Sequence, residues 1–99
     1  MLENGDFNEA EAELRRALEL QPSSGVSHRD LGILQARRGR LEEAAAELRR
    51  AAELLPGDAA AHYNLGRVLQ RAGRANEAAV ELNRARELNC GKEREPSCA

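Results

Sequence analysis

Aromatic residues are almost missing from this sequence. It has no tryptophan, one phenylalanine (Phe7) and one tyrosine (Tyr63) among 99 residues. A core without large rings has to be closed by Leu and Ala on elements that approach one another tightly. Cysteine is equally scarce: Cys90 and Cys98 both lie near the end. Two thiols make no disulfide framework and read as free cysteines of a reducing compartment. Long apolar runs are absent, so no membrane span is expected, and no signal-like segment is present. A net charge of −2 gives no bulk attraction for nucleic acid. With no phosphate-binding glycine loop and no nucleophile motif, no enzymatic activity and no cofactor are expected. The two histidines, His28 and His62, lack a second ligand at helical spacing, so no metal site is expected either.

What the chain does have is charge and periodicity. Charged residues make up 32% and apolar residues 41%, with Leu and Ala recurring at helical spacing, which separates this composition from disorder. The pattern also repeats. Leu31-Gly32 returns as Leu65-Gly66, His28 as His62, Pro22 as Pro56, and Gly5 as Gly39 and Gly73. Laying 25–58 over 59–92 gives 16 identities in 34 positions, and laying 3–24 over 37–58 gives 12 in 22. Chance overlap would give roughly one match in fifteen, so a 34-residue unit is repeated.

Within this period the residues spell helices. Ala10, Leu14, Ala17 and Leu18 predict an amphipathic helix over 7–20, with Gly5 as a turn residue, Asp6 as N-cap and Glu9 completing a capping box. Pro22 closes it. Ser24 caps a second helix over 25–38, carrying Val26, Leu31, Leu34 and Ala36 and ending at Gly39. A third helix, 41–54, turns Leu41, Ala44, Ala45, Leu48 and Ala51 inward and stops at Pro56-Gly57. Asp58 caps a fourth, 59–72, ending at Gly73. The fifth runs over 75–88 on Ala78, Ala79, Leu82, Ala85 and Leu88, followed by a patternless tail. Gly32 and Gly66 fall inside helices, where a glycine costs ~1 kcal/mol relative to alanine. Their recurrence predicts close helix crossings. Five helices joined by short turns must be antiparallel neighbours, giving an all-α fold of stacked pairs.

These residues resemble the tetratricopeptide repeat (TPR) family, whose 34-residue unit follows W-x2-L-G-x2-Y…A-x3-F…P. His28, Leu31-Gly32, Gln35, Ala44, Leu48, Ala51 and Pro56 occupy those places in the first full unit. His62, Leu65-Gly66, Leu69, Ala78, Leu82, Ala85 and Cys90 occupy them in the second. The small-residue skeleton matches, while His, Gln or Leu, and Leu stand in the aromatic places, as in Ala/Leu-rich bacterial-type repeats. The resemblance implies a right-handed superhelical solenoid fragment. Residues 1–24 are then the second half of a truncated repeat, 25–58 and 59–92 full repeats, and 93–99 a frayed polar tail. It also implies protein–protein binding, with the first helix of each pair lining a concave groove.

The charges divide along the same lines. The first-helix segments 25–40 and 59–74 each sum to +3, whereas 3–20, 41–54 and 75–88 sum to −4, −2 and −1. A basic groove that takes an acidic or C-terminal-carboxylate peptide is therefore expected. The residues that the family resemblance places on it are Arg29, Ile33, Arg37, Tyr63, Asn64, Arg67, Gln70 and Arg71. Tyr63 is the candidate hot spot. A two-carboxylate clamp of the chaperone-binding kind is disfavoured by Ile33, which stands where that clamp wants Asn. An asparagine ladder of the glycosyltransferase-linked kind is disfavoured by Asp30 in the place of Asn64. The alternative to a free-standing scaffold is a repeat extension of a larger enzyme, such as a glycosyltransferase or sulfotransferase. Both ends are expected to be truncated. A cytoplasmic location is the default on this reading, with a lost signal or anchor compatible with it. Val80, Leu82 and Leu88 are expected on an uncovered face of the last helix, through which the chain would self-associate.

Overall fold

The computed structural model describes residues 4–93, and these form five α-helices: α1 (Asn4–Leu20), α2 (Gly25–Arg37), α3 (Leu41–Leu54), α4 (Ala59–Arg71) and α5 (Ala75–Glu93). There is no strand among the described residues. Helix α2 pairs most extensively with α3, and α4 with α5; α3–α4 and α1–α2 join the pairs, and α2 meets α4 directly. The stack is elongated, 44 × 29 × 23 Å, with a radius of gyration of 14.1 Å, against about 13 Å for a compact domain of this length.

The caps explain where the helices start and stop. The Ser24 hydroxyl accepts from the Ser27 N–H, and Asp58 Oδ1 accepts from the Ala60 N–H. Each satisfies a donor that the first turn leaves open. Helices α2 and α4 end identically. Gly39 and Gly73 take φ of 81° and 82°, the left-handed region that suits glycine. The N–H groups of Gly39 and Arg40 donate to the carbonyls of Ala36 and Gln35; those of Gly73 and Arg74 donate to Gln70 and Leu69. This paired return satisfies the last carbonyls of each helix.

The core runs along the stack. Leu31, Ala44, Leu48, Ala51, Ala61, Leu65, Val68, Leu69, Ala78 and Ala85 are buried almost completely. Gly32 and Gly66 mark the crossings. A Cβ on Gly32 would stand 2.7 Å from Leu48 Cγ and 3.2 Å from the Ala44 carbonyl oxygen; one on Gly66, 2.6 Å from Leu82 Cγ and 3.3 Å from the Ala78 oxygen. The expected close approach is there, and the partner helix supplies both a leucine side chain and backbone.

Three expectations need correction. Gly5 is inside α1, not in a turn, and Asp6 lies in the first helical turn instead of capping it. A left-handed glycine is selected by the helix that ends on it, whereas a helix continues through Gly5. Helix α5 continues to Glu93 instead of ending at 88. Cys90 stands where Pro22 and Pro56 stop the earlier helices, and cysteine leaves the hydrogen-bond ladder intact. Residue 93 of the expected tail is thus helical, and 94–99 lie outside the described residues. Val26, counted among the apolar positions of α2, is 48% exposed.

Candidate functional site: the α2–α4 face

Helices α2 and α4 lie side by side, and their exposed faces enclose a cavity of about 330 Å3 floored by Ala36, Leu48 and Val68. Six of the eight residues expected on the groove line it: Ile33, Arg37, Tyr63, Asn64, Arg67 and Arg71. Helical spacing explains the grouping. Residues 33 and 37, like 63, 67 and 71, are four apart and share one face.

The polar contacts are local. Arg67 lies over the Tyr63 ring, 6.0 Å from its centroid, and donates to the Tyr63 hydroxyl at 3.3 Å. The Asn64 amide donates to the Ala60 carbonyl at 2.8 Å. Arg71 reaches across to donate to the Ala36 carbonyl at 3.0 Å, placing a cation on the C-terminal end of α2. Arg37 is exposed and makes no hydrogen bond or ion pair among the described residues. Three guanidinium groups therefore border one cavity, with no carboxylate among its lining residues.

The other two expected residues are placed differently. Arg29 is half-buried and held by Asp58 at 2.8 Å and Asp30 at 3.5 Å. The hydrogen bond that Arg29 donates to Asp58 raises its pKa, against the opposing effect of burial. Its charge is consumed in tying α2 to the α3–α4 turn. Gln70 is exposed on α4 and does not border the cavity. Other basic residues of the first-helix segments are also neutralised: Arg38 and Arg40 by Glu11, at 3.0 and 3.6 Å, and Arg74 by Glu42 at 3.1 Å. The overall split into a basic and an acidic side is thus narrowed to Arg37, Arg67 and Arg71.

Sequence reasoning missed a second polar arrangement. The His28 ring meets Glu47 through Nδ1 at 2.7 Å and the Pro22 carbonyl through Nε2 at 2.8 Å. His62 repeats this with Glu81 at 2.7 Å and Pro56 at 3.2 Å. A carbonyl only accepts, so Nε2 carries a hydrogen and donates to it. The signal was available: both repeats hold His and, nineteen residues later, Glu. A cavity of about 390 Å3 adjoins His62, but its histidine, Glu81 and Arg49 are already engaged within the protein.

Two family profiles described as tetratricopeptide repeat match residues 2–59 and 36–89. The chain belongs to the tetratricopeptide repeat family. Repeats of this family are protein–protein interaction scaffolds, and the five-helix stack is a fragment of their solenoid. Among solved structures, it is similar to a mutant O-GlcNAc transferase of Thermobaculum terrenum, at 38% identity and a TM-score of 0.81, over 85% of this chain and 16% of that one. MamA superposes with a TM-score of 0.84 at 21% identity, over 91% of this chain and 53% of its own. YrrB, described as a TPR protein with an unusual peptide-binding site, gives 0.78 at 24% identity, over 95% and 46%. The last two show the fold alone. The TPR chain thus spans between about a sixth and a half of the length of these structures. No curated protein matches it significantly. Among the described residues, no helix is long and apolar enough to cross a membrane.

Proposed function

We propose that this chain is an interaction scaffold whose α2–α4 cavity holds an acidic segment of a protein partner. The observation that carries this reading is the convergence of Arg37, Arg67 and Arg71 on one cavity lined by no carboxylate. Guanidinium forks bind carboxylates in a bidentate way, and a concave wall strengthens their field. Arg37 is the contact with the most to give, because no described residue engages it by a hydrogen bond or ion pair. Tyr63, 48% exposed, offers a rigid ring already aligned by Arg67. The repeat division at 24/25 and 58/59 follows from this reading, since each cavity wall is then the first helix of one unit.

The test is binding of a panel of acidic and charge-neutral peptides to the native chain and to an Arg37→Glu/Arg71→Glu variant, with circular dichroism as a folding control. Binding should be confined to acidic peptides, weaken as salt rises, and be lost in the variant. An unchanged affinity in the variant removes the groove from consideration.

A second reading makes this stack the repeat extension of a larger glycosyltransferase. The 38% identity to the O-GlcNAc transferase, of which it spans only 16%, favours it. The coding sequence on either side of the segment decides between the two. Self-association through α5 belongs with either reading. Val80 is 56% exposed, although Leu82 is tucked against Gly66 and only half-buried Leu88 extends the face. Sedimentation at high concentration tests it, and a strictly monomeric chain would reject it.

A further inference from the structure

The uncompensated cations of the α2–α4 face form a spot and not a stripe. Arg29, Arg38, Arg40 and Arg74 are all paired with carboxylates. Toward α1, the neighbouring cavity that Arg37 also borders has Asp30 in its wall. What is left is Arg37, Arg67 and Arg71 around one cavity of about 330 Å3, in a chain whose net charge is −2. An extended acidic segment spreads its charge beyond this spot, toward acids such as Asp30. A single group of high charge density meets all three cations at once.

The three also come from two walls: Arg37 stands on α2, Arg67 and Arg71 on α4. A carboxylate is planar, and its two oxygens face one guanidinium fork. A phosphoryl group has three acceptor oxygens around a tetrahedral centre and carries about −1.5 to −2 charges at pH 7. Cations on two walls can therefore reach different oxygens of one such group. Donors remain for this. Arg37 makes no hydrogen bond or ion pair among the described residues. Arg71 engages the Ala36 carbonyl through Nη1, and Arg67 the Tyr63 hydroxyl through Nη1, out of five N–H donors on each guanidinium. The Arg71 tether also fixes one cation before a ligand arrives, so less order is lost on binding.

We propose that the α2–α4 cavity reads a phosphorylated side chain of its protein partner, with Arg37, Arg67 and Arg71 dividing the phosphoryl oxygens among them. The inference rests on the groove reading above and narrows its ligand from an acidic segment to a phosphopeptide. Phosphorylation of the partner then switches the contact on.

The probes are three peptides of one acidic sequence whose central residue is phosphoserine, glutamate or serine, titrated with the native chain by fluorescence anisotropy. The phosphoserine peptide should bind at least about tenfold more tightly than the glutamate peptide. That advantage should shrink as pH falls from about 7.5 to about 5.5, because the phosphate takes up its second proton near pH ~6 while a glutamate carboxylate stays ionised. No histidine or carboxylate lines the cavity to titrate in that window. Arg37→Gln, at an exposed position, should weaken the phosphoserine peptide more than the glutamate peptide. Equal affinities for the phosphoserine and glutamate peptides would overturn the inference and leave the groove reading standing; no binding by either overturns both. A phosphoserine advantage that Arg37→Gln leaves intact puts the phosphate elsewhere and rejects this site. A short oligonucleotide that displaces the phosphoserine peptide with equal or higher affinity makes nucleic acid the source of the phosphate, and the proposal falls.

Discussion

The α2–α3 and α4–α5 hairpins are two editions of one unit, and they differ where they face outward. Inside, the histidine, Leu-Gly pair, alanines and leucine are kept, and so are their contacts. On the shared face, Arg29, Asp30 and Ile33 become Tyr63, Asn64 and Arg67. Closely matched interiors with divergent faces separate what the fold requires from what it leaves free. Among the buried positions that do differ, Gln35 stands where Leu69 does. Both are buried almost completely, but among the described residues Gln35 Oε1 has no hydrogen-bond partner and its amide reaches Glu43 only at 3.5 Å.

The strongest way to break the likeness is at the leucines. Leu48 is wholly buried between α2 and α4, whereas among the described residues half-buried Leu82 is covered by α4 alone. Leu48→Ala should cost about 2–5 kcal/mol and Leu82→Ala distinctly less, measured by urea unfolding. The glycine crossings come next. Gly32→Ala should cost about 1–3 kcal/mol through overpacking. Gly66→Ala should cost less, because half-buried Leu82 can yield outward where Leu48 cannot. Gln35→Leu copies the second hairpin into the first. It should stabilise the chain by about 1–2 kcal/mol by removing an orphaned buried acceptor, and an unchanged midpoint would mean that the amide is satisfied in solution.

The smallest effect concerns the join between α1 and α2. Glu11 is gripped by Arg15, Arg38 and Arg40. Burial pushes its carboxyl upward, but the hydrogen bond from Arg15 and the charges of Arg15, Arg40 and Arg38 outweigh this and hold it below the usual carboxylate range. A pKa depressed by folding gives stability that is fully present above the unfolded value. That contribution is lost as pH falls from there through the folded value. Glu11→Gln should therefore lower stability slightly at neutral pH and flatten its decline on acidification, with native and variant chains converging at low pH.

Much of this was legible because the repeat supplied its own control. A glycine at the same place after two helices identified the left-handed ends at Gly39 and Gly73, and Ser24 and Asp58 before apolar periods identified the caps. Where the sequence misled, the contacts were tertiary or the local signal lacked its context. Gly5 has the repeat place of Gly39 and Gly73 but lies inside a helix that continues through it. The end of α5 was set too early although Cys90 had already replaced the stopping proline. Arg29 looked like groove charge because nothing local shows that Asp58, besides capping α4 through Oδ1, offers Oδ2 to it. The face shared by Arg37, Arg67 and Arg71 followed from helical spacing, but their freedom from acids depends on where the other arginines found partners.

The histidine bridges bear on cooperativity. A linear array whose units touch only their neighbours unzips piecemeal unless the coupling within a unit and the coupling between units fail together. Each imidazole joins the two kinds: one nitrogen holds the end of the preceding unit, and the other holds the second helix of its own. Loosening a single ring would thus weaken both couplings at once, which favours melting of the stack as one unit.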